Sequence, residues 1–201
     1  MRSISDSKEQ NSLDVARNEA LQNIGRNVVA FQKMEAMLKF LIANQKIEGL
    51  PDQLQEILAA RVTEVERQTM GTLVNRLFQT VLADKPSSGA EEGSPDGAWS
   101  LSFNVELEDE GRGEVEKSLK LLVEERNALI HQMLANFNAK SIESCVSLVA
   151  ILKLQRDKIK PHYAHLQSIV KTVVEGRKEL FEFIASDEFG NAITNSRDDR
   201  D

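Results

Sequence analysis

Arg126, Asn127 and His131 are the residues of this chain best placed to do chemistry. They lie in the run Glu124-Glu125-Arg126-Asn127-Ala128-Leu129-Ile130-His131. An imidazole titrates near neutral pH and can give or take a proton there. A guanidinium stays cationic and can grip a phosphate with two parallel hydrogen bonds. An amide beside them can orient a substrate or the imidazole. Asn127 and His131 are four residues apart, so a helix puts them on one face.

The element that must position them is a helix over roughly 113–138. At about 100° per residue, Val115, Leu119, Leu122, Val123, Leu129, Ile130, Met133, Leu134 and Phe137 fall on one arc. Arg126 lies at the centre of that arc. An arginine there must be paired, or must face a surface that needs a cation. Glu35 is the best candidate for a buried partner, because it sits at the edge of the apolar arc of the first helix. The alternative for Glu35 is an exposed pair with Lys39 at i, i+4 spacing.

Other candidates carry less. His162 and His165 share a helical face, but a metal site needs three or four ligands, and no carboxylate spacing completes one. Ser144 and Cys145 have no histidine close in sequence. No Gly-rich phosphate loop or dinucleotide fingerprint occurs. Arg61, Arg67 and Arg76 read as a solvated face balanced by Glu56, Glu64 and Glu66. Trp99 and Phe103 are a single aromatic pair, which is little to stack bases on. No metal and no cofactor are expected.

The rest of the chain reads as a frame for that helix. Of 201 residues, 41% are hydrophobic, 28% charged and 5% aromatic, which suits one helical domain with an aliphatic core. A first long helix runs from Leu13 to about Gln45, with Pro51 beyond its end. A second follows from Asp52, its stripe running from Leu54 to Val81. Lys85 to Ala98 is rich in Pro, Gly and Ser and reads as a connector. Trp99 to Leu107 then alternates apolar and polar residues, the period of a half-buried strand with no well-patterned partner in the chain. It pairs with a poorly patterned neighbour or with another chain. After the motif helix, Ser141 caps a last helical region that Pro161 should kink or divide. Residues 1–11 and 186–201 are polar ends expected to be frayed. The fold class is therefore all-α: an antiparallel four-to-five-helix bundle over 12–185, with a short β insertion (84–112) between the second and third helices.

The net charge of −7 and sequence pI of about 5.2 weigh against a protein that coats nucleic acid without selectivity, but leave room for a cationic cleft. Cys145 is the only cysteine, so no intrachain disulfide or cysteine cluster forms, which fits a reducing cytoplasm. No apolar run approaches the roughly 20 residues that cross a bilayer, and no signal peptide is evident.

Arg126-Asn127-x-x-x-His131 resembles the R-x4-6-H signature of the HEPN superfamily, in which a polar residue often follows the arginine. The resemblance covers about 11–186 in architecture and six residues in motif. It implies a small helical bundle and a metal-independent endoribonuclease of a toxin–antitoxin or phage-defence setting. Its site would be built from two motifs meeting across a homodimer. Arg126 would hold the phosphate, His131 would transfer protons and Asn127 would orient. The RNA supplies its own 2′-hydroxyl as nucleophile, and the products are a 2′,3′-cyclic phosphate and a 5′-hydroxyl. The partners implied are RNA, a second copy and an antitoxin or regulatory protein, with no DNA and no membrane. Some members of the superfamily are catalytically silent interaction or nucleotide-sensing modules, and that is the alternative here. One branch carries a tyrosine two residues after the histidine. Met133 takes that place in this chain, which puts control by modification there in doubt.

Overall fold

A computed structural model describes residues 4–50, 53–82, 99–103, 109–184 and 186. The chain is mostly helical. Helix α1 spans Ile4–Asn44, α2 Leu54–Glu66, α3 Met70–Thr80, α4 Asp109–Ala128 and α5 Ile142–Ile184. Strands β1 (Lys46–Gly49) and β2 (Trp99–Ser102) form one antiparallel pair.

The core is aliphatic, as the composition requires. Met34, Leu38 and Leu41 of α1 meet Leu73 and Leu77 of α3, Leu119 and Leu122 of α4, and Leu152 and Leu166 of α5, all fully buried. Burying one such side chain stabilises the fold by about 1.5–3 kcal/mol, which fixes which face of each helix turns inward. α1 packs chiefly on α5 and also on α3 and α2, while α4 packs on α3 and α5.

Helix directions follow from paired contacts. Ala20 packs with Cys145 and Val149, Asn27 bonds to Leu152 and Gln155, and Arg177 bonds to Asn44. Numbers rise together along both helices, so α1 and α5 lie side by side and run parallel. This departs from the wholly antiparallel arrangement expected. α4 opposes α5, since Ser118 meets His162 and Glu125 meets Gln155 and Lys158. α3 opposes α4: a Cβ built on Gly71 would lie 3.5 Å from Val123 Cγ1, while Arg112 Nη2 donates to Phe78 O at 3.3 Å.

Three further expectations change. The single helix expected over 54–81 is two. Thr69 adopts extended geometry (ψ 157°), and its hydroxyl accepts from the Thr72 N–H at 3.4 Å, which caps α3. Buried Val65 and Met70 on either side keep both apolar stripes on the core through the break. Pro161 does not divide α5, which runs unbroken through it. The proline and Asp157, whose carbonyl loses its donor, are both on the solvent side, and buried Ile159 and Leu166 hold the helix on each flank. α1 starts at Ile4, within the end expected to be frayed. Lys8, Glu9 and Gln10 are good helix formers, and Ser12→Lys8 and Gln10→Asp14 bonds tie residues one turn apart.

Finally, the strand finds its partner within the chain. β2 pairs with β1 in the register Lys46↔Ser102 to Gly49↔Trp99, and Phe103 N donates to Gln45 O at 2.7 Å. Only four residues of β1 are available, too few for a legible alternation. Phe103 also lies against α5, with its Cε1 4.0 Å from a Cβ built on Gly176. The expected continuation of the strand to Leu107, the whole connector Lys85 to Ala98 and the tail after 186 lie outside the described residues. The insertion falls between α3 and α4, because the second expected helix became two.

Candidate functional site

α4 carries Arg126 and Asn127, and its hydrogen-bond register changes directly after them. Leu129–Met133 form a π-helical turn, in which Leu134 N donates to Leu129 O, five residues back, at 3.1 Å. A π turn holds one residue more than an α turn, and such insertions recur at functional sites. His131 sits on this wide turn, exposed to solvent, while buried Leu129 anchors it. The motif therefore straddles two helical geometries.

Arg126 does not make the ion pair expected of it. Its Nη1 donates to Asn127 Oδ1 at 3.0 Å, and among the described residues no carboxylate pairs with it. Glu35 is engaged by Lys39 at 2.8 Å, and Lys39 also donates to the Glu66 carbonyl at the end of α2. The i, i+4 geometry wins because it is local, and because Lys39 also satisfies an orphan helix-end carbonyl. Arg126 remains half-buried although it is at the centre of the apolar arc. The cause is where α3 begins. Its first residues meet α4 at Val123, and Arg126 is nearly one turn beyond that contact, past the start of α3. Half-buried rather than buried there, the arginine keeps enough solvent to be tolerated on an inward face.

Behind the motif lies a polar network that crosses the core. Asn27 of α1 is buried and donates to Leu152 O at 2.9 Å and Gln155 Oε1 at 3.0 Å. Gln155, also buried, donates to Glu125 O at 2.9 Å and Glu125 Oε2 at 3.1 Å. Lys158 Nζ closes the network on Glu125 Oε1 at 2.5 Å. Burial pushes the Glu125 carboxyl up, but hydrogen bonds from Lys158 and Gln155, with the Lys158 charge, outweigh it and hold it below its ordinary value. Three helices are thus fixed at the residue preceding Arg126. This network was open to discovery in the sequence, since Asn27 lies between Ile24 and Phe31, and Gln155 between Leu152 and Ile159, at core spacing.

His162 serves the α4–α5 contact. Ser118 Oγ lies 2.8 Å from His162 Nδ1 and 3.0 Å from its Nε2. Burial, and then the nearby charge of His165, lower the His162 pKa below its ordinary value. Among the described residues no cluster of three or more His, Cys, Asp or Glu could hold a metal ion. No helix among them is long and apolar enough to cross a membrane.

Between α4 and α5, beside the motif, runs an open groove lined by Leu121, Ala128, Met133, Ile151 and Leu154. Leu154 is 67% exposed, a large apolar side chain that the chain itself leaves uncovered. Comparison with protein-family models, curated proteins and solved structures finds no match to this chain.

Proposed function

We propose that this chain is a helical bundle of HEPN type acting as a metal-independent endoribonuclease, with Arg126, Asn127 and His131 as its working residues. The observation that carries this reading is an arginine on the inward face of α4 with no carboxylate partner among the described residues, joined to Asn127 and followed by a π turn that carries an exposed histidine. A cation kept free of acidic side chains is available to an anionic substrate. In the reaction, the 2′-hydroxyl of RNA attacks the adjacent phosphorus as His131 takes its proton. The P–O5′ bond breaks, and a second imidazole protonates the leaving oxygen. Arg126 offsets the charge gathering on the phosphoryl oxygens. One chain offers one exposed motif histidine, so the second comes from another copy. The apolar groove along α4 and α5 supports a homodimer, because an isologous contact there brings both motif helices together. A toxin–antitoxin or phage-defence role, an antitoxin partner and a cytoplasmic site of action belong to the same reading.

The test is purified protein with total RNA in EDTA, beside His131→Ala. Cleavage by the wild type alone, leaving 2′,3′-cyclic phosphate ends, is the expected result. Cleavage that EDTA abolishes, or that His131→Ala retains, overturns the mechanism. The acidic charge of −7 together with the exposed Leu154 groove favours one second reading, a catalytically silent interaction module. Absence of cleavage on varied RNAs selects it.

A further inference from the structure

A second cationic feature lies away from the motif, where α1 and α5 run side by side. Arg26 of α1 and Arg156 of α5 line one open groove of about 530 Å³, together with Gln22, Gly25, Val29 and Ala30. Both arginines are exposed, and neither is in an ion pair among the described residues. Two carboxylates on these helices are already paired: Glu19, two turns before Arg26, is held by Lys153 at 2.9 Å, and Asp157 by Lys160 at 3.1 Å. Gly25 adds no side chain, and a Cβ built on it would meet nothing within 4 Å, so the space beside the arginines is open. The two cations are also fixed in register. Their neighbours in sequence, Asn27 and Gln155, bond to each other at 3.0 Å in the core. The cationic face continues along α1: Lys33 is seven residues beyond Arg26, exposed and outside any ion pair among the described residues.

We propose that the groove of Arg26, Gly25 and Arg156 binds the phosphodiester backbone of single-stranded RNA, with Lys33 extending the track. The proposal rests on the ribonuclease reading above and adds a substrate-holding surface to it. Two guanidiniums about a glycine can grip phosphate oxygens while the backbone approaches closely. A third cation on the same face favours a chain of phosphates over a single anion. In a protein of net charge −7, like charges left unpaired together on one face mark where an anion is received.

The experiment measures binding of a labelled single-stranded oligoribonucleotide over a salt series, in the His131→Ala background so that binding is read without cleavage. Each phosphate contact contributes roughly 0.7 to the slope of log affinity against log salt, so Arg26→Gln with Arg156→Gln should lower that slope by about 1.4. Arg26→Lys with Arg156→Lys keeps the charge and should keep the slope, which separates charge loss from misfolding. Lys171→Gln with Lys178→Gln makes the same charge change further along α5 and should leave the slope unaltered. An unchanged slope in the double glutamine variant overturns the proposal, and wild-type cleavage would then leave the ribonuclease reading in place. An equal drop from the Lys171 and Lys178 changes also overturns it, as does failure of the wild type to bind RNA at low salt. Arginine-dependent binding without any cleavage by the wild type supports the groove and removes the ribonuclease.

Discussion

Gln155 donates through one side-chain amide to both the main-chain carbonyl and the carboxylate of Glu125, at 2.9 and 3.1 Å. The bond joins α5 to α4 at the residue before Arg126, while the Gln155 carbonyl oxygen accepts from Asn27. Gln155→Leu therefore leaves one N–H of the buried Asn27 amide on α1 without its acceptor, the bond to Leu152 O remaining, and removes a donor from the half-buried Glu125 carboxylate on α4. An unsatisfied buried group costs about 1–3 kcal/mol, so denaturant unfolding should show a loss in that range. A double cycle with Asn27→Leu should recover part of it, since the stranded partner is then removed as well.

Acid should weaken the same region in two steps. The His162 pKa lies below its ordinary 6.5, so an unfolded chain binds the proton first as pH falls. Its contribution is fully present above 6.5 and is lost as pH falls through the folded value. The Glu125 pKa lies below 4.5, so its contribution persists above 4.5 and is lost at more acid pH, through its own folded value. Thermal melts from neutral to acid pH should show both losses in the wild type. His162→Gln should flatten the first and Glu125→Gln the second.

Arg126→Ala should lower RNA cleavage by about two to three orders of magnitude, the usual effect of removing one charge-stabilising donor. Its half-exposed side chain makes one hydrogen bond among the described residues, so stability should change by about 1 kcal/mol or less. His131→Ala should abolish cleavage with an unchanged melting curve, because the ring is exposed. His162→Ala and His165→Ala should retain cleavage. A melt and an RNA assay on the same four samples decide the matter.

Deleting Gln132 tests the wide turn. The bond from Leu134 to Leu129 then spans four residues, and the π turn can close to an α turn. Circular dichroism should show a folded helical protein. Cleavage should fall, since closing the turn to α geometry changes the position of His131, which lies within it, relative to Arg126. Undiminished cleavage would show that the π geometry is not needed.

The inward faces of α1, α3, α4 and α5 were legible because leucines repeat at helical spacing over many turns. The break at Thr69 was not, since the apolar stripe continues across it; only a capping threonine marked the place. The π turn was hidden for a similar reason, because one added residue shifts a short apolar arc by less than its width. Arg126 shows a different limit. Periodicity told which face turns inward, but not that α3 begins short of Arg126 on that face. That depends on where a separate helix begins in space. The partner of β2 was hidden by the brevity of Lys46–Gly49.

Because α1 and α5 run in the same direction, the start of α1 and the end of α5 lie toward opposite poles. At 1.5 Å per residue, each is about 60 Å long. Tension applied between those two points would load their shared seam in shear, along its whole length, with every packed layer and the Asn27–Gln155 bond resisting at once. Antiparallel neighbours pulled at adjacent ends would instead peel apart one layer at a time. The seam that frames the Arg26–Arg156 groove is in this sense the mechanical spine of the molecule.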